Sequence, residues 1–203
     1  TNMMTARNMF AAMVSAISIS VSVHAAEVGK PAPAFSAKDA KGADVSLDGL
    51  KGKVVVLEWV NHGCPFVVKH YESSNMQKLQ ETYTGKGVVW ITINSGSKAS
   101  GTYTDDATTL KLASSKGSKA THLIADDSGT IGKAYSAKTT PHMFVINKEG
   151  VLVYNGAIDS KKTTNVADIE GAENYVAKAL DEVLADKEVT TSKTEPYGCG
   201  VKY

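Results

Sequence analysis

Apolar and polar positions fall in alternating blocks along this chain. Lys53 to Val60, KVVVLEWV, is an apolar, β-branched run of the kind that forms a strand buried on both faces. An Asn61-His62-Gly63 turn follows, and Pro65 fits the first turn of a helix, where its missing N–H costs nothing. Val67, Val68 and Tyr71, then Met76, Leu79 and Tyr83, recur at helical spacing until Gly85 and Gly87. The pattern therefore predicts one helix from Pro65 to about Thr84. GVVWITIN, Gly87 to Asn94, reads as a second buried strand, so strand, helix and strand form a crossover unit with parallel pairing.

The remaining blocks continue in the same way. DDATTLKLASS predicts a short helix, THLIADD a short strand and GTIGKAY one or two helical turns. HMFVIN and VLVYNGAI flank Lys148-Glu149-Gly150 as a hairpin. An amphipathic helix runs from about Asn174 to Ala185, with Val176, Leu180, Val183 and Leu184 on one face. DSKKTTNVADIEGA, between hairpin and helix, is polar and reads as a surface loop. There is no internal repeat and no second domain, so the fold class is α/β, a central mixed sheet flanked by helices.

Ahead of the first strand, an apolar and small-residue run from Met9 to Val23 follows Arg7 and ends in Val23-His24-Ala25. Residues 1 to about 25 read as a secretory signal peptide, because the run is diluted by serines and short of the ~20 residues a membrane span needs. The expected product is exported, periplasmic or secreted, with no membrane anchor after cleavage. It comprises a domain at 26–188 and a tail at 189–203. Arg7 is the only arginine, and its loss takes the formal charge from +1 to 0. No basic run or basic-aromatic stripe is present, which leaves nucleic-acid binding without support.

Two cysteines occur, Cys64 and Cys199, separated by 135 positions. In an exported chain such a pair reads first as a disulfide, and closing that loop stabilises a fold by about 4 to 5 kcal/mol on the chain-entropy argument. The setting of Cys64 adds something a staple does not need. It falls at or near the N-cap of the helix that Pro65 opens, where free N–H groups and the positive end of the dipole favour a thiolate.

Strand, Cys-Pro helix, strand and then TTPHMFVINKEGVLVYNGAID resemble the thioredoxin-like fold. The resemblance covers about residues 27 to 203 and is closest to peroxiredoxin-related redoxins of the AhpC/TSA type. That group shares NHCPFVKH, AIN, YxGxID, ALDxxLAxK and a terminal GCSIKW, which appear here as NHGCPFVVKH, TIN, YNGAID, ALDEVLADK and GCGVKY. The resemblance implies that Cys64 is the attacking cysteine and that Pro141, after Thr140, is a cis-proline beside it. It implies that Glu58 is a buried acid that relays protons beneath the sulfur, its pKa raised by desolvation.

Departures from the family are informative. Thioredoxins place a second cysteine where Val67 stands, so Cys199 is the one candidate in the chain to resolve a disulfide at Cys64. Peroxiredoxins place a proline and a threonine or serine where Leu57 and Asn61 stand, and hold the peroxide with an arginine, whose planar fork lysine does not reproduce. Lys69, His62 and His142 remain as sources of positive charge or hydrogen bonds.

The activity implied is thiol redox chemistry without a cofactor. Cys64 attacks a hydroperoxide or a disulfide, Cys199 on a mobile tail resolves the product, and an external thiol protein reduces the pair. Two other readings stay open. One is a non-catalytic protein in which the same disulfide only staples the tail. The other is a copper carrier using Cys64, His62 and His142, because thiolate and imidazole suit that metal. His70 and His122 have no partner pattern and read as surface positions.

Overall fold

Residues 25–203 are described by a computed structural model. The signal-peptide reading, residues 1 to about 25, lies outside the described residues except at its last position. No helix among those described is long and apolar enough to cross a membrane.

In chain order, a small antiparallel pair, β1 (Ser36–Lys38) and β2 (Asp44–Ser46), precedes the first central strand, β3 (Val55–Trp59). Helices α1 (Pro65–Glu72) and α2 (Asn75–Thr84) lead to β4 (Val89–Asn94), α3 (Asp106–Ser115) to β5 (His122–Ala125), and α4 (Thr130–Tyr135) to β6 (Thr139–Thr140). The hairpin strands β7 (His142–Ile146) and β8 (Leu152–Gly156), the amphipathic α5 (Tyr175–Leu184) and a terminal β9 (Cys199–Gly200) complete the chain.

The central sheet has the order β5-β4-β3-β7-β8. Strands β3, β4 and β5 run parallel, and β7 and β8 join antiparallel. Every residue of β3 and β7 is buried, as expected for strands covered on both faces. The strand period of two divides their side chains between two cores. Val56 joins Val67, Tyr71, Met76, Trp90 and Leu180 on the side of α1, α2 and α5. Val55, Leu57 and Trp59 join Ile91, Tyr135 and Phe144 on the other.

Two expectations are corrected. The single helix from Pro65 to about Thr84 is two helices, because Ser74 takes a left-handed conformation (φ 60°) and breaks the hydrogen-bond ladder between them. The tail at 189–203 is also no loose end. The backbone of Thr194 and Ser192 bonds Asn155, and the Thr194 side chain reaches Tyr154 and the Ala157 N–H. Tyr197 is buried, β9 pairs with β6, and the Tyr203 hydroxyl donates to the Ala137 carbonyl (2.8 Å). The 160–173 stretch is a mostly exposed loop with one short 3-10 turn at Val166–Ile169.

Candidate functional site

The C-terminal end of β3 delivers the chain to a tight turn in which the Gly63 N–H donates to Asn61 Oδ1 (3.0 Å). Cys64 follows as the N-cap of α1 in an extended conformation, with Pro65 at the first helical position. The Val67 and Val68 N–H groups both donate to the Cys64 carbonyl (2.9 Å each), which locks the cysteine to the helix. Its side chain is 2% exposed, and its sulfur lies 3.2 Å from the Thr140 carbonyl oxygen. The Thr140–Pro141 peptide bond is cis.

Cys199 meets Cys64 from the tail. The two form a disulfide with Cα atoms 6.0 Å apart, within the range that such a bond spans. Strand pairing sets Cys199 opposite Thr140 and Gly200 opposite Thr139. The glycines beside Cys199 suit a moving tail and a static one equally by composition, and one of them has a static role here. Gly198 has φ 148°, and a Cβ there would collide with the Thr140 carbonyl oxygen, so only glycine lets the tail lie this close to the Thr140–Pro141 bond.

Glu58 is fully buried on the α1/α2 side of β3. Tyr71 donates to its Oε1 (2.8 Å), and Trp90 (2.8 Å) and Gln80 (3.1 Å) donate to its Oε2. Burial pushes its pKa up to about 7, although all three hydrogen bonds act to lower it. None of these partners is a cysteine. The His62 ring packs edge-on against Tyr71 (4.9 Å between centroids), and its buried Nδ1 has no hydrogen-bond partner. Burial, and next the nearby Lys116 charge, lower its pKa to about 4, so His62 is neutral at pH 7.

The other histidines and Lys69 differ from expectation. His142 is buried with both ring nitrogens engaged, Nδ1 accepting from the Lys138 N–H (3.1 Å) and Nε2 facing Asn155 Oδ1 (2.8 Å). It has no nitrogen left to join Cys64 and His62 around copper, and no group of three or more His, Cys, Asp or Glu among the described residues is placed to hold a metal ion. His70 is wholly buried rather than at the surface, and His122 is half-buried with Nδ1 2.8 Å from Asp39. Lys69 is buried too, and its Nζ donates to the Lys161 carbonyl (2.7 Å) rather than to either sulfur.

Sequence reasoning missed Tyr71, Gln80 and Trp90 as partners of Glu58, and missed Tyr197, Asp159 and His70, which meet behind the tail. Tyr197, two positions before Cys199, Asp159, inside YNGAID, and His70, the last residue of NHGCPFVVKH with Tyr71 next to it, lay in or beside motifs that could have drawn attention to them.

A five-stranded mixed sheet with flanking helices, entered at its first helix by a cysteine facing a cis-proline, defines a thioredoxin-like α/β protein. The chain belongs to the Redoxin family, whose family model matches residues 27–174. Cys64, Glu58, Thr140 and Pro141 fall inside that stretch and Cys199 beyond it. No curated protein matches the chain. Among solved structures it is similar to an uncharacterized conserved protein from Geobacillus kaustophilus, at 25% identity and TM-score 0.74, over 87% of this chain and 92% of the other. A hypothetical protein from Sinorhizobium meliloti 1021 is similar at 26% identity and TM-score 0.73, over 89% and 96%. The thioredoxin domain of a thiol-disulfide oxidoreductase from Bacteroides vulgatus shares the fold at 20% identity and TM-score 0.50, over 71% and 96%.

Proposed function

We propose that this protein is an exported thiol-based oxidoreductase in which Cys64 attacks and Cys199 resolves. One observation carries the reading: two cysteines 135 positions apart are joined at the N-cap of a helix, where a thiolate is stabilised once the bond opens. Glu58, its pKa near neutrality, is the buried group that can give or take the proton that thiol chemistry requires.

In the reduced protein the Cys64 thiolate attacks one sulfur of a substrate disulfide, expelling the other as a thiolate and forming a mixed disulfide. The Cys199 thiolate then attacks the Cys64 sulfur, releases the second substrate thiolate and closes the Cys64–Cys199 bond. An external dithiol protein restores both thiols and is itself oxidised. With a hydroperoxide, Cys64 becomes a sulfenic acid, the alcohol or water departs, and condensation with Cys199 expels water. Disulfides are the favoured substrate. The tail is itself an extended strand, paired along Thr139–Thr140 with its cysteine bonded to Cys64, and a peptide disulfide can take the same position. The described residues also contain no arginine to hold a peroxide.

Burial of the Cys64 sulfur supports one rival, a disulfide that only staples the tail. The experiment treats the reduced protein with one equivalent of a small disulfide and, separately, of hydrogen peroxide, followed by intact mass. Rapid loss of two hydrogens in the wild type, a trapped adduct in Cys199→Ser and no reaction in Cys64→Ser are expected. Thiols that survive both oxidants, with a reduction potential below about −300 mV, would establish the staple instead.

A further inference from the structure

We infer that Tyr197 is a positioning residue: a buried polar pin to Asp159 and His70 sets the register in which Cys199 meets Cys64. The inference rests on the oxidoreductase reading above. Tyr197 is 3% exposed. Its hydroxyl donates to Asp159 Oδ1 and lies 3.2 Å from His70 Nε2. With that proton committed to Asp159, His70 donates from Nε2, and its Nδ1 accepts from the Asn75 amide (2.9 Å), which fixes the neutral tautomer. The Lys161 N–H also donates to Asp159 Oδ1 (3.0 Å). The Tyr197 ring packs edge-on against Phe66 (5.8 Å) and lies 5.7 Å from Lys69 Nζ. Phe66, Lys69 and His70 all belong to α1, so the helix that presents Cys64 at its N-cap grips the tail on its flank, two residues before Cys199.

A buried pin of this kind is a costly way to fill space, since an apolar ring would pack there without desolvating a carboxylate. What a polar network adds is uniqueness of position. The β6–β9 ladder is two residues long, and its backbone bonds are blind to sequence. A slip of one residue would turn Cys199 to the opposite face, away from Cys64. Thr194 and Tyr203 hold the tail farther along the chain, whereas the Tyr197 hydroxyl finds a donor and an acceptor in one register only.

The test follows the two exchange steps separately. The reduced protein is mixed in stopped flow with an excess of a nitrobenzoate aryl disulfide, which releases one coloured aryl thiolate when Cys64 attacks and a second when Cys199 closes the ring. In Tyr197→Phe, which keeps the ring and removes only the hydroxyl, the first release should keep its wild-type rate. The second should slow about tenfold, the factor expected for loss of a hydrogen bond to a charged group. Asp159→Asn, which keeps an acceptor oxygen for Tyr197 but removes the charge, should leave the first release at its wild-type rate and slow the second by less than Tyr197→Phe does. Unchanged closure in Tyr197→Phe, or equal slowing of both steps, would overturn the inference. If Cys199→Ser releases no first aryl thiolate, it is the oxidoreductase reading that fails.

Discussion

Replacing Glu58 with glutamine isolates the buried acid by its effect on stability against pH. Burial raises the Glu58 pKa from 4.5 to about 7. Between those values the folded protein holds a proton that the unfolded chain has released, so stability falls as pH rises through the window and levels off above it. A gap of about 2.5 pH units corresponds to about 3 kcal/mol, most of it lost between pH 5 and pH 8. Buried histidines act in the opposite direction. His62, His70 and His142 have pKa values lowered to about 4, chiefly by desolvation, so their contribution to stability grows as pH rises from about 4 to about 6.5.

That opposition makes the raw pH profile uninformative and the difference between two proteins decisive. Glu58→Gln leaves the histidines in place and removes the one group that titrates the other way. Its amide oxygen replaces one carboxylate oxygen and its NH2 the other, so a donor faces either the Tyr71 hydroxyl or the Trp90 and Gln80 donors, an offset that does not depend on pH and cancels from the slope. Denaturant unfolding at several values from pH 5 to pH 8 gives the wild-type stability minus that of the variant. The difference should shrink by about 2 to 3 kcal/mol across the range. A difference constant to within about 0.5 kcal/mol would show that Glu58 ionises at an ordinary pH, and the case for it as a proton store near neutrality would fall with it.

Two further outcomes follow from the same geometry. Gly198→Ala sets a methyl group against the Thr140 carbonyl at a φ that side chains rarely adopt, a conflict worth about 2 to 3 kcal/mol. After oxidation, thiol titration should find more free cysteine than in wild type, and full closure at the wild-type rate would show that the tail approaches by another path. His70→Asn should remove about 3 kcal/mol of the stability lost as pH falls from about 6.5 to about 4, a window set by the lowered His70 pKa. An unchanged acid limb in the unfolding profile would place the His70 titration elsewhere.

The parts of the site that were legible in the sequence are those written in consecutive residues. KVVVLEWV announces a strand buried on both faces, and Cys-Pro after a polar turn announces a helix start, because strand period and proline geometry act over a few neighbours. The position of Cys64 at the N-cap, the hairpin after Pro141 and the amphipathic α5 follow from such local rules. Failures of local reasoning occurred where neighbours disagree with the fold. The helical stripe continues across Ser73-Ser74, and nothing in its apolar spacing marks the left-handed residue that divides it. His70 looked solvated because no partner stood nearby in sequence, yet the groups that meet it come from Asp159 and from Tyr197.

Those long-range partners also explain why the tail was misjudged. Gly198-Cys199-Gly200 has the composition of a flexible segment, and composition measures what the backbone may do when unconstrained. The constraint comes from sites distant in sequence: Asn155 and Tyr154 on β8, the Thr139–Thr140 edge, and the flank of α1. Each is weak alone, and together they make one of the two permissive glycines, Gly198, the residue that permits closest approach to Thr140. In the proposed cycle a resolving cysteine gains from that constraint, because a flexible linker alone supplies an effective concentration only in the millimolar range, whereas a register-fixed strand leaves the sulfur little else to meet.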